Sequence, residues 1–187
     1  MKPIVLVTGG SRGIGAATTK YLAKQGYAVC VNYISNKAEA TKVVSEIENN
    51  GGIAIAVQAD VSKEDDVIRL FSTIDKALGK ITHLVNNAGI LLPQMRLSEM
   101  TAERINQVLT TNVTSCFLCC REAINRMKNG GSIVNVSSAA SRLGSAGEYV
   151  DYAASKGAID TLTIGLSLEV ASQNIRVNCV RPGFIYT

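Results

Sequence analysis

The sequence predicts a three-layer α/β fold, a single domain on a parallel, doubly wound sheet with helices on both faces. Three observations carry this reading. Apolar runs of strand length alternate with amphipathic stretches of helix length along the whole chain. The strand-length runs are nearly continuous in Val, Ile and Leu, as in strands covered on both faces, and the intervening helices demand right-handed crossovers and parallel pairing. No stretch is rich enough in Pro, Gly or Ser to divide the chain, and 187 residues, 47% of them hydrophobic, suffice for one full-sized core.

Six strands are expected, at Ile4–Thr8, Ala28–Tyr33, Ile53–Ala59, His83–Asn86, Ser132–Ser137 and Arg176–Val180. The first helix, Ile14–Gln25, follows a glycine-rich turn and stops at Gly26. The second, Lys37–Asn50, ends in Asn49-Asn-Gly-Gly52, and the third, Lys63–Leu78, ends at Gly79, each where a left-handed residue can close a helix. Ser62 is the expected N-cap of the third, with Asp65 completing a weak capping box. Two longer helical patterns follow, Ala102–Lys128 and Tyr152–Ser172. In such a sheet ligands bind beyond the carboxyl ends of the strands, where the strand order switches, so chemistry is sought just after each strand.

Composition excludes several classes. Only 18% of residues are charged, and 19 Lys and Arg against 15 Asp and Glu leave +4, scattered rather than gathered into a stripe that could track a phosphate backbone. Nucleic acid is therefore not an expected partner. Cys30, Cys116, Cys119, Cys120 and Cys179 are odd in number and lie in apolar stretches, which reads as buried thiols in a reducing compartment. The C-x-x-C within Cys116–Cys120 continues a helical pattern and has no second ligand pair, with His83 the one histidine, so no metal site is expected. Met1-Lys-Pro-Ile-Val-Leu-Val runs straight into a strand without a signal-peptide pattern, and no window is apolar enough to span a membrane. A soluble cytoplasmic protein is the expectation.

Thr8-Gly-Gly-Ser-Arg-Gly-Ile-Gly15 joins the first strand to the first helix. Gly9 permits a tight turn, Gly13 a close backbone approach to a pyrophosphate, and Gly15 close helix packing, while the helix N-terminus offers free N–H groups and a favourable dipole. In this strand–turn–helix context Gly9, Ser11, Arg12, Gly13, Ile14 and Gly15 read as a dinucleotide-binding turn. An Asp or Glu ending the second strand would bond the adenosine ribose and repel a 2′-phosphate, but Asn32-Tyr-Ile-Ser-Asn-Lys37 has no carboxylate. With Arg12, Asn32, Tyr33, Ser35 and Asn36 offered instead, NADP(H) is preferred over NAD(H). Lys37 reads equally as a solvated charge at a helix start.

Three more segments fall after strands: Asn86-Asn-Ala-Gly89, Ser137-Ser138, and Tyr152-Ala-Ala-Ser-Lys156. Tyr152 and Lys156, four apart on a helix, share a face and bring an ammonium beside a phenol. A phenol is a poor acid–base group at neutral pH, and a neighbouring ammonium favours its ionised form. Ser138 is then free to hold a substrate oxygen while Tyr152 passes a proton. The same spacing recurs at Tyr33 and Lys37, so it is the ordered company of glycine turn, N-N-A-G, Ser138 and Tyr152 that is specific.

On these motifs the sequence resembles the short-chain dehydrogenase/reductase family from Val7 to Thr187, and Gly144–Lys156 is similar to its glucose-dehydrogenase-like branch. The resemblance implies a Rossmann fold and catalytic roles for Asn112, Ser138, Tyr152 and Lys156. Asn112 would maintain a proton relay to the lysine, although by local sequence it reads as a mid-helix Asn bonded to nearby backbone. The family pattern further implies cofactor contacts from Asp60 and Val61, from Asn87, Ala88 and Gly89, from Tyr152 and Lys156, and from Pro182, Gly183, Ile185 and Thr187. It also implies a small carbonyl or alcohol substrate and a homo-oligomer, a dimer or tetramer. Glu148, Tyr149 and Asp151 read first as a solvated loop edge and second as contacts to a polar substrate. Relatives continue past Thr187 into a substrate lid and last strand, so residues 1–187 are expected to be the dinucleotide-binding and catalytic domain without them. Two other functions stay open: a 3-oxoacyl-carrier-protein reductase, for which Arg126 and Lys128 would hold an acidic carrier although Gln173 stands where a base is usual, and a non-catalytic NADP-binding sensor.

Overall fold

The computed structural model describes residues 2–185. Six strands, β1 (Ile4–Val7), β2 (Ala28–Tyr33), β3 (Ile53–Gln58), β4 (His83–Asn86), β5 (Gly131–Val136) and β6 (Ile175–Val180), form one sheet in the order β3-β2-β1-β4-β5-β6. Every pairing is parallel. Helices α1 (Gly13–Lys24), α2 (Lys37–Asn49), α3 (Glu64–Ala77), α4 (Ala102–Leu109), α5 (Ser115–Arg126), α6 (Ala140–Leu143) and α7 (Val150–Glu169) connect them. The expected three-layer, doubly wound architecture is thus present.

The period-2 alternation of strand side chains divides the interior into two cores. Leu6 pairs with Cys30 and Leu84, and Leu84 with Ile133, making a row of fully buried side chains on one face. Phe71 and Ile74 of α3 and Cys119 and Ala123 of α5 pack in that core. Val5, Val7, Val29 and Val85 point the other way, with Leu22 and Ala23 of α1 packed against them. Both faces being dry explains why β1 reads as an unbroken apolar run.

Left-handed glycines close the helices as expected: Gly26, Gly51 and Gly79 have φ of 89°, 76° and 109°. Two local expectations are corrected. Helix α3 starts at Glu64 with Lys63 at the N-cap, and Ser62 bonds Asp60 instead, its N–H and hydroxyl both donating to Oδ1 at 3.1 and 2.6 Å. The stretch Ala102–Lys128 is not one helix: a π turn at Thr110–Thr114 separates α4 from α5. Single-turn π insertions cluster at functional sites, and this one carries Asn112.

Among the described residues no helix is long and apolar enough to cross a membrane. Cys30, Cys116, Cys119 and Cys120 are buried and Cys179 is half-buried. Burial pushes the thiols of Cys30 and Cys119 far above the ordinary value. Phe71→Ala is expected to lower stability by about 3–5 kcal/mol, because the fully buried ring leaves a cavity between α3 and the sheet; urea denaturation measures it.

Candidate active site and cofactor cleft

The chain runs from β1 outward to β2 and β3, then crosses back to β4 on the other side of β1, so the sheet's switch point lies between β1 and β4. A cleft of about 560 Å³ opens there. It is lined by Gly9, Ser11, Arg12, Gly13, Ile14 and Gly15 from the glycine turn, and by Asn32, Tyr33, Ser35 and Asn36 after β2. Asp60 and Val61 after β3 and Asn87, Ala88 and Gly89 after β4 line it as expected, whereas Tyr152, Lys156, Pro182, Gly183 and Ile185, also expected at the cofactor, are not among its lining residues.

The turn is held by short polar contacts. Gly9 and Gly13 adopt φ of 60° and 51°, a region that favours glycine. The Thr8 hydroxyl accepts the N–H groups of both Asn87 and Ala88 at 3.0 Å, and the Asn87 amide donates to the carbonyls of Thr8 and Gly9. A Cβ on Gly15 would collide with the Gly9 carbonyl oxygen and come within 2.6 Å of Asn87 Nδ2. Gly15 is therefore needed for the turn to fold onto its own helix and onto Asn87.

Asn32 is buried and its side chain is committed within the protein. Its Oδ1 accepts the Gly9 N–H at 3.2 Å, and its Nδ2 donates to the Ala59 carbonyl at 3.0 Å, tying β2 to the turn and to β3. Asn36 caps α2 by accepting the Glu39 N–H at 3.2 Å. Arg12, Ser35 and Lys37 are exposed. Sequence reasoning missed Glu39, which lines the same cleft with Ile34, Ile90 and Thr111. Glu39 lies beyond the strand end where a carboxylate was sought, and only the helix start brings it to the cleft.

Asn112 and Lys156 come together beside Gly89. Lys156 donates from Nζ to the Val136 carbonyl at 2.7 Å, and its ammonium stands 5.6 Å from the centroid of the Tyr152 ring. Burial draws the Lys156 ammonium below the ordinary lysine value. A Cβ on Gly89 would lie 3.2 Å from Asn112 Oδ1 and 3.6 Å from Lys156 Nζ, so Gly89 marks where these side chains meet the cleft. Asn112 does not bond nearby helix backbone. Its Oδ1 accepts the Ile90 N–H at 2.7 Å, and its Nδ2 donates to the Ile90 carbonyl at 3.0 Å and to Ser155 Oγ at 3.1 Å. Of the serine pair, Ser137 is buried with its hydroxyl on the Lys156 carbonyl, whereas Ser138 is partly exposed and accepts the Ala140 N–H.

After β6 the chain passes the serine turn, where the Ala139 N–H donates to the Pro182 carbonyl at 3.0 Å. Gly183 and Ile185 continue it as exposed residues, and Thr187 lies outside the described residues. Asp160 anchors this exit: Oδ2 accepts Ser141 Oγ at 2.8 Å and Arg181 Nε at 2.9 Å, and Oδ1 accepts the Cys179 thiol at 3.2 Å. Burial alone would raise its carboxyl, but these donors outweigh it and hold the group at about 2.

Two expectations about charged groups change. Asp151 is neither a solvated loop edge nor a substrate contact; its side chain is buried in an ion pair with Arg104. Arg126 is not open to an acidic carrier, because its guanidinium pairs with Asp75 and Glu122 and covers the Phe71 ring. Lys128 is exposed, as is Gln173.

The sequence model of the short chain dehydrogenase family matches residues 3–187. The chain belongs to the short-chain dehydrogenase/reductase family. A relative from Escherichia coli (strain K12), named uncharacterized oxidoreductase YgfF, is 65% identical over 98% of this chain and 76% of its own length. A Synechocystis protein named 3-oxoacyl-[acyl-carrier-protein] reductase is 42% identical over 98% of this chain and 74% of its own. Among solved structures, a Burkholderia cenocepacia short chain dehydrogenase in complex with NADP superposes with a TM-score of 0.93 at 37% identity, covering 97% of this chain and 74% of that one. Short-chain dehydrogenase/reductases are oxidoreductases that bind a nicotinamide cofactor, and the cleft and the Tyr152–Lys156 pair lie together at the carboxyl edge of this member's sheet.

Gly15→Ala is expected to abolish dinucleotide binding, read by titrating cofactor fluorescence, because the methyl group has no space against the Gly9 carbonyl. The stability that ionised Asp160 contributes should be complete above about pH 4 and lost as pH falls toward 2, since folding lowers this group from 3.8 to about 2. Urea midpoints of the protein and of Asp160→Asn should therefore converge over that interval; a constant difference down to pH 2 would contradict the assignment.

Proposed function

We propose that the protein is an NADP(H)-dependent oxidoreductase that interconverts a carbonyl and a secondary alcohol, with Tyr152 as the group that moves the proton. The observation that carries this reading is the buried Lys156 ammonium, which faces the Tyr152 ring and stands next to Gly89 in the wall of the cleft. The residues present fit a nicotinamide dinucleotide: glycines that allow close backbone approach, the free N–H groups at the start of α1, and an exposed guanidinium at Arg12. The bound cofactor would supply or accept the hydride.

The chain's own residues then have separable tasks. Lys156, fixed by the Val136 carbonyl, holds positive charge beside the phenol and stabilises the negative charge that develops on its oxygen as the proton moves. Ser138, the more accessible of the two serines, orients the substrate oxygen. Asn112 keeps the chain at Ile90 beside Ser155, and so fixes the wall next to Lys156. Preference for NADP(H) over NAD(H) is supported by Arg12, Ser35 and Asn36 at the cleft and by the lack of a carboxylate in residues 32–37. Glu39, at the same cleft, works against a 2′-phosphate, and Arg12 has to outweigh it.

A second reading, reduction of carrier-bound 3-oxoacyl chains, draws on the Synechocystis relative's name. It is weakened by the burial of Arg126 in its own ion pairs. Initial rates with aldehydes, diketones, sugars and 3-oxoacyl thioesters distinguish the two. NADPH consumption is expected to fall by about 10²–10⁴-fold in Tyr152→Phe, the range a positioned acid–base group contributes; undiminished turnover in that variant would exclude the mechanism. Tight NADPH binding without turnover would mark a sensor. Arg12→Ala should raise KM for NADPH about tenfold, since a charge-assisted phosphate contact is lost, while KM for NADH stays unchanged.

A further inference from the structure

Tyr152 lies in the first turn of α7, where helix ends ordinarily fray, yet its proposed role requires a fixed phenol. Tyr149, at the N-cap, provides no side-chain cap. The turn is held instead from α4. Arg104 Nε donates to Asp151 Oδ2 at 2.9 Å, and Asp151 Oδ1 accepts the Tyr152 N–H at 2.8 Å. Both side chains are nearly sealed from solvent, 10% exposed for Arg104 and 2% for Asp151. A second tie follows directly: the Ser155 hydroxyl donates to the Tyr152 carbonyl at 2.6 Å and accepts Asn112 Nδ2 at 3.1 Å. The N–H and the carbonyl of Tyr152 are thus each held by a side chain that is itself held from the α4–π–α5 segment.

Helical geometry shows why that segment is interrupted. In an unbroken α-helix, positions eight apart are rotated by roughly 80° beyond two full turns, and the wider π turn takes up part of that rotation. Arg104 and Asn112 can therefore both face α7, one on each side of the Tyr152 peptide. Stability alone does not account for the pair: Arg104 leaves Nη2 without a partner among the described residues, and buried ion pairs seldom outperform apolar packing.

We propose that Arg104 and Asp151 form a positioning pair that holds the first turn of α7 and thereby places the Tyr152 phenol for proton transfer. This rests on the reading of Tyr152 given above. Neither side chain is placed on the substrate or cofactor; both act through the Tyr152 backbone.

The test uses the intact protein and three variants. Arg104→Met alone strands a buried carboxylate and risks misfolding, so Arg104→Met/Asp151→Asn, which removes both charges and keeps an oxygen for the Tyr152 N–H, is the decisive form. It is expected to lose about 10- to 100-fold in kcat, the size of a small misplacement of a reacting group, with KM for NADPH unchanged. Arg104→Lys should recover most of that loss. Hydrogen-exchange mass spectrometry should find residues 150–156 exchanging faster in the double variant while β1 and β4 exchange as before. Unchanged kcat, a rise in KM for NADPH that matches the fall in kcat, or parental exchange at 150–156 would each overturn the proposal. If the parent protein shows no Tyr152-dependent turnover, the functional reading fails, and the exchange at 150–156 still decides whether the pair holds the turn.

Discussion

A parallel sheet buried on both faces can be built only if every connection returns across the sheet as a covered crossover, and that constraint organises this protein. All six strands then end at one edge, and the segments that follow four of them line the cleft there. The glycine turn, Asn87–Gly89, Ser138 and the segment after β6 come from widely separated parts of the chain. They meet because the strands preceding them are parallel and in register. The same burial that makes the interior dry removes solvent from Lys156 and Asp160, so their charges act at short range on the groups around them.

That dryness obliges the polar groups at the site to find partners inside the protein. Thr8 serves two amide donors, and Asn32 serves the turn and the neighbouring strand. Asn135, fully buried on β5, accepts from Asn86 on β4 and donates to Thr163 on α7, so the sheet and the helix carrying Tyr152 are joined by more than apolar contact. Such networks are worth their desolvation when every member is satisfied, and they leave little freedom in where neighbouring side chains point.

Much of the fold was legible in the sequence because strand and helix periodicities are local. The strands fall within a residue or two of their expected bounds, and Gly26, Gly51 and Gly79 stop helices as read. The residues expected at the cleft from four strand exits do line it. What could not be read depended on partners distant in sequence. Asn112 looks like any helix asparagine until Ile90 and Ser155 are beside it, and the π turn that presents it breaks no local pattern. Asp151 and Arg126 look solvated because charged residues usually are, and only Arg104, Asp75 and Glu122 make their burial possible.

The sequence by itself determined the layered α/β architecture, the glycine-rich turn after the first strand and the Tyr152–Lys156 pair, since each follows from spacing within one or two adjacent elements. Only the tertiary structure decided the strand order, the split of Ala102–Lys128 around a π turn, the arrival of Glu39 at the cleft and the ion pair beneath Tyr152. The physical reason is that periodicity records which face of an element is buried, whereas an ion pair or hydrogen bond between segments depends on which elements become neighbours. That is settled when the two cores close.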